Sequence, residues 1–311
     1  MRIRLGYACI SKTLEVTPSS TMTYTYYKKT ENFEKLNDVI ISNFVDLEKT
    51  IDYNLKNDIK FFRLTSKLIP LATKEEVEFD YITPYLEYYQ RIGEKLKSLR
   101  VDFHPDQYLV LNSVNPKVVE DSIINLKYHY ELLEAFDVKD KIILIHVGSS
   151  ACGKKASITR FINVFKKLPD NLKKCLALEN DDKAYTAKET LNLCQKLGIP
   201  MILDIHHHNC NNPENDDIAD LMRDILNTWN GKGISPKMHF SSPKSKLKKE
   251  FRSHHDYINV LEFIAFLKVL KYFEQDIDIM LEAKAKDEAL FRLLRLLKYN
   301  DIKIVNNDIY L

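Results

Sequence analysis

Eight short apolar runs, each separated from the next by a stretch of helical period, constrain this 311-residue chain more than any other feature. The runs are IRLGYA near the start, KFFRL (60–64), LRVDFH (99–104), KIILIHV (141–147), CLALEN (175–180), IPMILDI (199–205), PKMHF (236–240) and DIDIMLEA (276–283). Between them lie amphipathic segments such as NPKVVEDSIINLKYHYELLEAF (115–136), with Pro116 at a first helical position, and TAKETLNLCQKLG (186–198), closed by Gly198. Strand and helix alternating eight times predict an α/β fold in which a parallel sheet closes on itself as a (β/α)8 TIM barrel. An open doubly wound sheet is the competitor, but no GxGxxG follows the first run, which also argues against a nucleotide cofactor. No low-complexity linker or internal repeat interrupts the alternation, so one domain over residues 1–311 is expected. The first connection, residues 9–32, is long, polar and aromatic, and on a barrel it would lie over the active-site face.

The ends of these runs carry a second pattern. LRVDFH ends in His104, KIILIHV carries His146, CLALEN holds Glu179 near its end, and IPMILDI carries Asp204 with His207 three residues on. PKMHF carries His239, the loop after it reaches His254 and His255, and DIDIMLEA ends near Glu282. In a barrel the strand ends converge on one face, where the active sites of this fold lie. Gathering these groups there costs several kcal/mol per desolvated charge unless cations neutralise them. Mixed imidazole and carboxylate donors suit Zn, Mn or Fe(II), and there are more of them than one tetrahedral ion needs. Two or three metals sharing bridging carboxylates is the natural reading.

Within LDIHHHNCN (203–211), Asp204 closes the strand and a short turn returns His207 to the same site. His206 and His208 would then support the ligands, touch substrate, or sit in a solvated loop. Lys237 precedes His239 by two, so strand alternation turns both inward. An ammonium beside cationic metals is repelled. Lys237 should therefore be neutral, chemically modified, or paired with a carboxylate such as Glu179 or Glu282.

Composition narrows the setting. Five Cys form no CxxC pair and leave one over in any disulfide scheme, which suits a reducing cytoplasm. The apolar segment in MRIRLGYACI is too short for a signal peptide, and no stretch approaches the roughly 18 apolar residues of a membrane span. A net charge of +2 says little about partners, so local patches matter more. The densest is SSPKSKLKKEFRSHH (241–255), with Lys244, Lys246, Lys248, Lys249 and Arg252; TYTYYKKT (23–30) is a second. Either patch alone is equally what a solvated loop looks like.

Nine blocks in order carry a resemblance: LGYACIS, FFRLTSKLIP (61–70), FHPDQYLVLNS (103–113), IHVGSSACGKK (145–155), LALENDD (176–182), LDIHHH (203–208), KMHFSSPK (237–244), RSHHDYI (252–258) and MLEAKAKD (280–287). From residue 2 to about 298 the chain resembles the UV damage endonucleases. The resemblance implies a TIM barrel that nicks damaged double-stranded DNA immediately 5′ to cyclobutane pyrimidine dimers, 6-4 photoproducts and some abasic or distorting lesions. It implies three divalent metals, commonly Mn2+ with Zn2+, Mg2+ or Co2+ as alternatives, on His104, His146, Glu179, Asp204, His207, His239, His254 and Glu282. The chemistry would fall to Glu179, Glu282 and Lys237, the last N6-carboxylated. Gln107 and Tyr108 would enter the duplex at the lesion, where stacking is already weakened. Tyr7 would stand near the lesion pocket, and Lys67, Lys154, Lys155, Lys244, Lys248 and Arg252 would hold DNA. The family departs from this chain at Ser11, where some members carry Asn, and at Lys67, where some carry His. A monomer is expected. An apurinic-site endonuclease on the same barrel, or a metal-dependent sugar isomerase, would use a similar set of strand-end ligands.

Overall fold

A computed structural model describes residues 1–106 and 108–311. The chain opens with β1 (Arg2–Ala8), a short helix α1 (Tyr24–Thr30) and a long one, α2 (Phe33–Lys56). Leu36, Ile40, Phe44, Leu47 and Ile51 of α2 recur at helical spacing and are fully buried, which lays that helix on the sheet. Next come β2 (Phe61–Leu64), α3 (Leu86–Leu96), β3 (Arg100–Phe103), α4 (Pro116–Ala135), β4 (Ile143–His146), α5 (Lys154–Lys167), α6 (Asp170–Cys175) and β5 (Leu176–Glu179). The order continues with α7 (Ala187–Leu197), β6 (Met201–Asp204), α8 (Ile205–Cys210), α9 (Ile218–Asn227), β7 (Lys237–Phe240), α10 (Val260–Lys271), β8 (Ile277–Leu281) and α11 (Lys286–Tyr299). The expected helix signals are in place. Asn115 caps α4 ahead of Pro116, Thr186 and Glu189 form a reciprocal capping box on α7, and Gly198 ends α7 at φ 68°.

Strands β1 to β8 pair in parallel, each with its successor, and β8 returns to β1 from Ile3↔Ile277 to Tyr7↔Leu281. The sheet is a closed (β/α)8 barrel, as the alternation predicted. Among the described residues no helix is long and apolar enough to cross a membrane.

One addition escaped sequence reading. A C-terminal hairpin, β9 (Lys303–Val305) and β10 (Asp308–Tyr310), adds to the same sheet. Its turn residues Asn306 and Asn307 both have positive φ, 48° and 63°, the two-residue reversal that suits the strand twist. β10 runs antiparallel to Arg2–Arg4, whereas β2 reaches β1 only at Tyr7 and Ala8. The hairpin thus fills the lower half of the β1 edge that β2 is too short to cover.

The barrel interior is unusually charged below the strand ends. At the bottom Arg4 donates twice to Asp278 at 2.6 Å, and Arg100 shares that carboxylate. One step higher Lys237 pairs with Asp102 at 2.7 Å, with both side chains fully buried. Gly6 of β1 has no alternative here, because a Cβ would lie 2.5 Å from the Phe61 carbonyl oxygen. The 9–32 connection leaves the C-terminal end of β1 and is tied to the start of α11, where Asp287 accepts from Ser11 Oγ at 2.7 Å and from the Lys12 backbone at 2.5 Å.

Candidate metal centre

Parity decides which side chains reach the mouth of the barrel. Successive strand residues alternate faces, so the pairs Asp102 and His104, Lys237 and His239, and Asp278 and Met280 with Glu282 beyond share the inward side. The structure brings seven of the sequence-predicted groups into three overlapping sets: His104, His146 and Glu179; Glu179, Asp204 and His207; Asp204, His239 and Glu282. Ligand atoms within each set lie within 4.8 Å of one another. Glu179 and Asp204 each belong to two sets, which makes them the shared carboxylates.

The contacts are close. Glu179 Oε2 stands 3.0 Å from His104 Nε2, and its Oε1 stands 2.9 Å from His239 Nδ1 and 3.4 Å from His207 Nδ1. His239 Nδ1 is also 3.3 Å from Glu282 Oε1. Asp204 acts locally as the N-cap of α8, accepting the His207 backbone N–H at 2.8 Å, and this cap turns His207 back over the strand end. Along α8 neighbouring side chains diverge, so His207 enters the site, His206 packs edge-on against the His254 ring at 5.4 Å with its Nε2 beside Cys210 Sγ at 3.7 Å, and His208 is buried with its Nε2 beside Asn212 at 3.3 Å. The solvated-loop alternative for these two is corrected by that burial.

His254 comes from the β7–α10 connection. A bridge between Pro243 and His254 folds that loop back on itself, and His254 Nδ1 lies 2.8 Å from the Glu282 carbonyl oxygen. A carbonyl only accepts, so Nδ1 carries the hydrogen and Nε2 keeps its lone pair. His104 has the same arrangement, with Nδ1 3.1 Å from the Pro105 carbonyl and Nε2 turned to Glu179. His255 points away; it is exposed and its Nδ1 accepts from the Tyr257 backbone. Of the adjacent pair it is thus His254 that lies beside Glu282, although it joins none of the three sets.

Electrostatics follow from this crowding. Burial alone would push Glu179 up, but the surrounding imidazoles of His239, His146, His104 and His207 hold it well below the usual carboxylate range. Burial opposes Glu282 likewise and is outweighed by Arg63 and His239. His207 is lowered by burial and raised more by Asp204 and Glu179, to about 11. His104 goes the other way, to about 4, because burial outweighs Glu179. Within the donor set three buried atoms stay without a hydrogen-bond partner, Glu179 Oε2, Asp204 Oδ2 and His146 Nδ1. Orphaned lone pairs beside a mixed nitrogen and oxygen donor set fit divalent cations.

Two groups were not singled out from the sequence. Arg63 on β2 donates to Glu282 Oε1 at 2.7 Å and to His239 Nε2 at 2.8 Å, and its Nε lies 3.9 Å from Asp102. Asp102 holds Lys237, so the expected pairing of that lysine with Glu179 or Glu282 is replaced by one a layer below them. The signal was available, since Asp102 precedes His104 by the same two residues that separate Lys237 from His239.

The predicted DNA contacts divide. Tyr7 is corrected: it is fully buried and its hydroxyl donates to Asn54 at 2.7 Å, so it packs β1 onto α2 and does not reach a duplex. Gln107 lies outside the described residues. Tyr108 is 80% exposed, the stance of a side chain with no packing duty. Lys67, Lys155 and Lys248 are exposed. Lys154 is held by Glu189 at 2.7 Å, Lys244 by Glu250 at 3.2 Å, and Arg252 lies 3.8 Å from Asp182. Ser11, at a position of family variation, is buried against Asp287.

Comparison with known proteins agrees with this architecture. A family model described as UV-endonuclease UvdE matches residues 3–309. The chain is 43% identical over 302 residues to the UV DNA damage endonuclease of Bacillus cereus strain B4264, covering 94% of each. Among solved structures it aligns with SacUVDE at a TM-score of 0.87 and 33% identity, covering 96% of this chain and 99% of that one. Endonuclease IV from Thermus thermophilus shares the fold at a TM-score of 0.58 and 13% identity, covering 96% and 98%.

Proposed function

The chain belongs to the UV-endonuclease UvdE family, and from that premise we propose that it hydrolyses the phosphodiester immediately 5′ to UV photolesions in double-stranded DNA. Its substrates would be cyclobutane dimers, 6-4 photoproducts and some abasic or distorting lesions. It would act as a cytoplasmic monomer, its 311 residues forming one domain. The observation that carries this reading is the set of three overlapping donor groups sharing Glu179 and Asp204.

Three divalent ions, Mn2+ in the first instance and Zn2+, Mg2+ or Co2+ otherwise, would supply a more acidic water and neutralise charge on the phosphoryl oxygens. His104, His146, Glu179, Asp204, His207, His239, His254 and Glu282 would hold them. Arg63 fixes Glu282 from beneath, so that carboxylate does not swing when the site is filled. Lys237 stays below the ligands in a fully buried pair. Burial pulls its ammonium down to about 8, which keeps the neutral amine accessible near neutrality. The neutral amine is the form that adds carbon dioxide, so N6-carboxylation of Lys237 is part of this reading, and an intact mass heavier by one CO2 tests it. Tyr108 with Gln107 would wedge the duplex at the lesion, and a wedge selects stacks that are already weak. Lys67, Lys155, Lys248 and Arg252 would meet backbone phosphates, with Lys154 and Lys244 joining once released from Glu189 and Glu250.

The test is a nicking assay with Mn2+ on an end-labelled duplex carrying one dimer, beside undamaged and abasic duplexes. A metal-dependent cut directly 5′ to the dimer, leaving 3′-hydroxyl and 5′-phosphate ends, is expected. Cutting of the abasic duplex alone would replace the reading by an apurinic-site endonuclease.

A further inference from the structure

Beside the donor groups, on the β8 side of the mouth, lies a cavity of about 420 Å3. Arg63, Arg252, His254, Glu282, Lys284 and Lys286 line it. Two walls, Glu282 and His254, belong to the proposed ligand set, so the cavity opens directly onto that site. Its charge is unbalanced. Glu282 is already matched by Arg63 at 2.7 Å, and Arg252 stands 3.8 Å from Asp182. Among the described residues, no carboxylate lies within ion-pair distance of Lys284 or Lys286. The neighbouring Asp287 is spent, because it accepts from Ser11, Tyr53 and the Lys12 backbone. Lys284 is exposed, but Lys286 is half-buried, and a half-buried ammonium without a counter-ion is costly.

We propose that this cavity binds a phosphodiester anion of the DNA strand being cut, one linkage away from the scissile phosphate, and that Lys284 and Lys286 are its contacts. The inference rests on the function proposed above. It adds two residues to which neither the basic loop 241–255 nor the resemblance gave a role. The backbone supports the placement: Lys284 N–H donates to the His255 carbonyl at 3.1 Å and Ala285 N–H to Asp256 at 3.0 Å, which tie the cavity floor to the loop carrying His254. A strand seated across Lys284 and Lys286 is thereby registered against the donor groups by the protein backbone.

The experiment measures binding in EDTA by fluorescence anisotropy, using a dimer-containing duplex and versions with one neutral methylphosphonate at each linkage flanking the cut site. Lys284→Gln/Lys286→Gln should weaken binding by about tenfold. It should also flatten the dependence of log affinity on log salt by about one, the release expected for one phosphate. One methylphosphonate position should weaken the wild type equally and leave the double variant unaffected. Lys284→Gln alone, at an exposed side chain, gives the same direction without touching packing. A double variant with native affinity and salt slope, while wild type still nicks, overturns this inference alone. A wild type that neither binds nor nicks the damaged duplex overturns the proposed function and this inference with it.

Discussion

Replacing Asp102 by Asn asks how the barrel interior tolerates Lys237. The native ammonium lies 2.7 Å from Asp102, and both groups are fully buried. Burial pulls the lysine from 10.5 to about 8 even with that partner in place. At pH 7 the charged form is thus preferred over the neutral amine by about one pH unit, or about 1 kcal/mol. Asn withdraws the attraction, and a buried lysine without a carboxylate settles at about 5 to 6. Above that value the variant carries a neutral amine. It then forfeits only the advantage of the charged pair, about 1 kcal/mol at pH 7 and about 3 kcal/mol at pH 6. The sign comes from linkage: a folded value below the unfolded one means that the unfolded chain holds more protons, so stability rises with pH between the two. For wild type that rise runs from about 8 to 10.5. For the variant it begins nearer 6, so the two curves converge above pH 8 and separate below it. With about 2.1 cal/mol/K of unfolding entropy per residue, Tm should drop by about 2 °C at pH 7 and about 4 °C at pH 6. Circular dichroism melts of the metal-free protein from pH 6 to 9 measure it. A deficit independent of pH, or one that widens toward pH 9, would refute the reasoning. Asp102→Leu/Lys237→Met, which removes both charges, should recover the native Tm or exceed it.

Glu179→Gln removes a carboxylate shared by two donor groups, so nicking should fall by more than about 100-fold and bound metal, counted by atomic emission, should fall with it; unchanged stoichiometry contradicts the shared role. Metal uptake should release a proton from His207: a folded value of about 11 stabilises the metal-free protein fully below the ordinary 6.5 and is lost only as pH rises through 11, so metal must displace that proton at pH 7 and bind more tightly as pH increases. Calorimetry in buffers of different ionisation enthalpy reads this directly. Tyr108→Ala, at a side chain 80% exposed, should leave stability within about 0.5 kcal/mol yet lower the ratio of damaged to undamaged duplex cut. Asn307→Ala puts a Cβ-bearing residue with no local hydrogen bond at φ 63° and loses the contact to the Asn57 carbonyl, costing about 1 to 2 kcal/mol, or about 2 to 3 °C in Tm.

The sequence spoke most clearly where one local rule decides the outcome. Strand runs such as KIILIHV and IPMILDI fixed the barrel because their period and spacing need no distant partner to be read. The convergence of His104, His146, Glu179, Asp204, His207, His239 and Glu282 followed from barrel topology, which sends all strand ends to one face. Depth along the axis was harder to read. Lys237 sits one inward step below His239, level with Asp102 on a strand two-fifths of the chain away, and a parity argument carried across both strands was needed to pair them. Tyr7 looked like a mouth residue until α2 placed Asn54 against its hydroxyl, a contact 47 residues off. The ion pairs of Lys154 and Lys244 were illegible for the same reason: whether a surface lysine is engaged depends on which helix or loop its neighbour brings. The C-terminal hairpin was overlooked because three-residue strands leave too few positions for a period to show, although Asn306-Asn307 marked its turn.

The way β1 is completed also sets a schedule for synthesis. Its partner on one edge is β8 and, for the lower half of the other edge, β10, both some 270 to 310 residues downstream. At about 5 to 20 residues per second, a ribosome leaves the lower half of that first strand unpaired on both edges for about 15 to 60 s. During the interval β1 offers an open ladder of backbone donors and acceptors to any passing strand. Arg2 and Arg4, set on alternate positions of the waiting strand, keep it charged until Asp278 arrives to neutralise Arg4 from within the barrel.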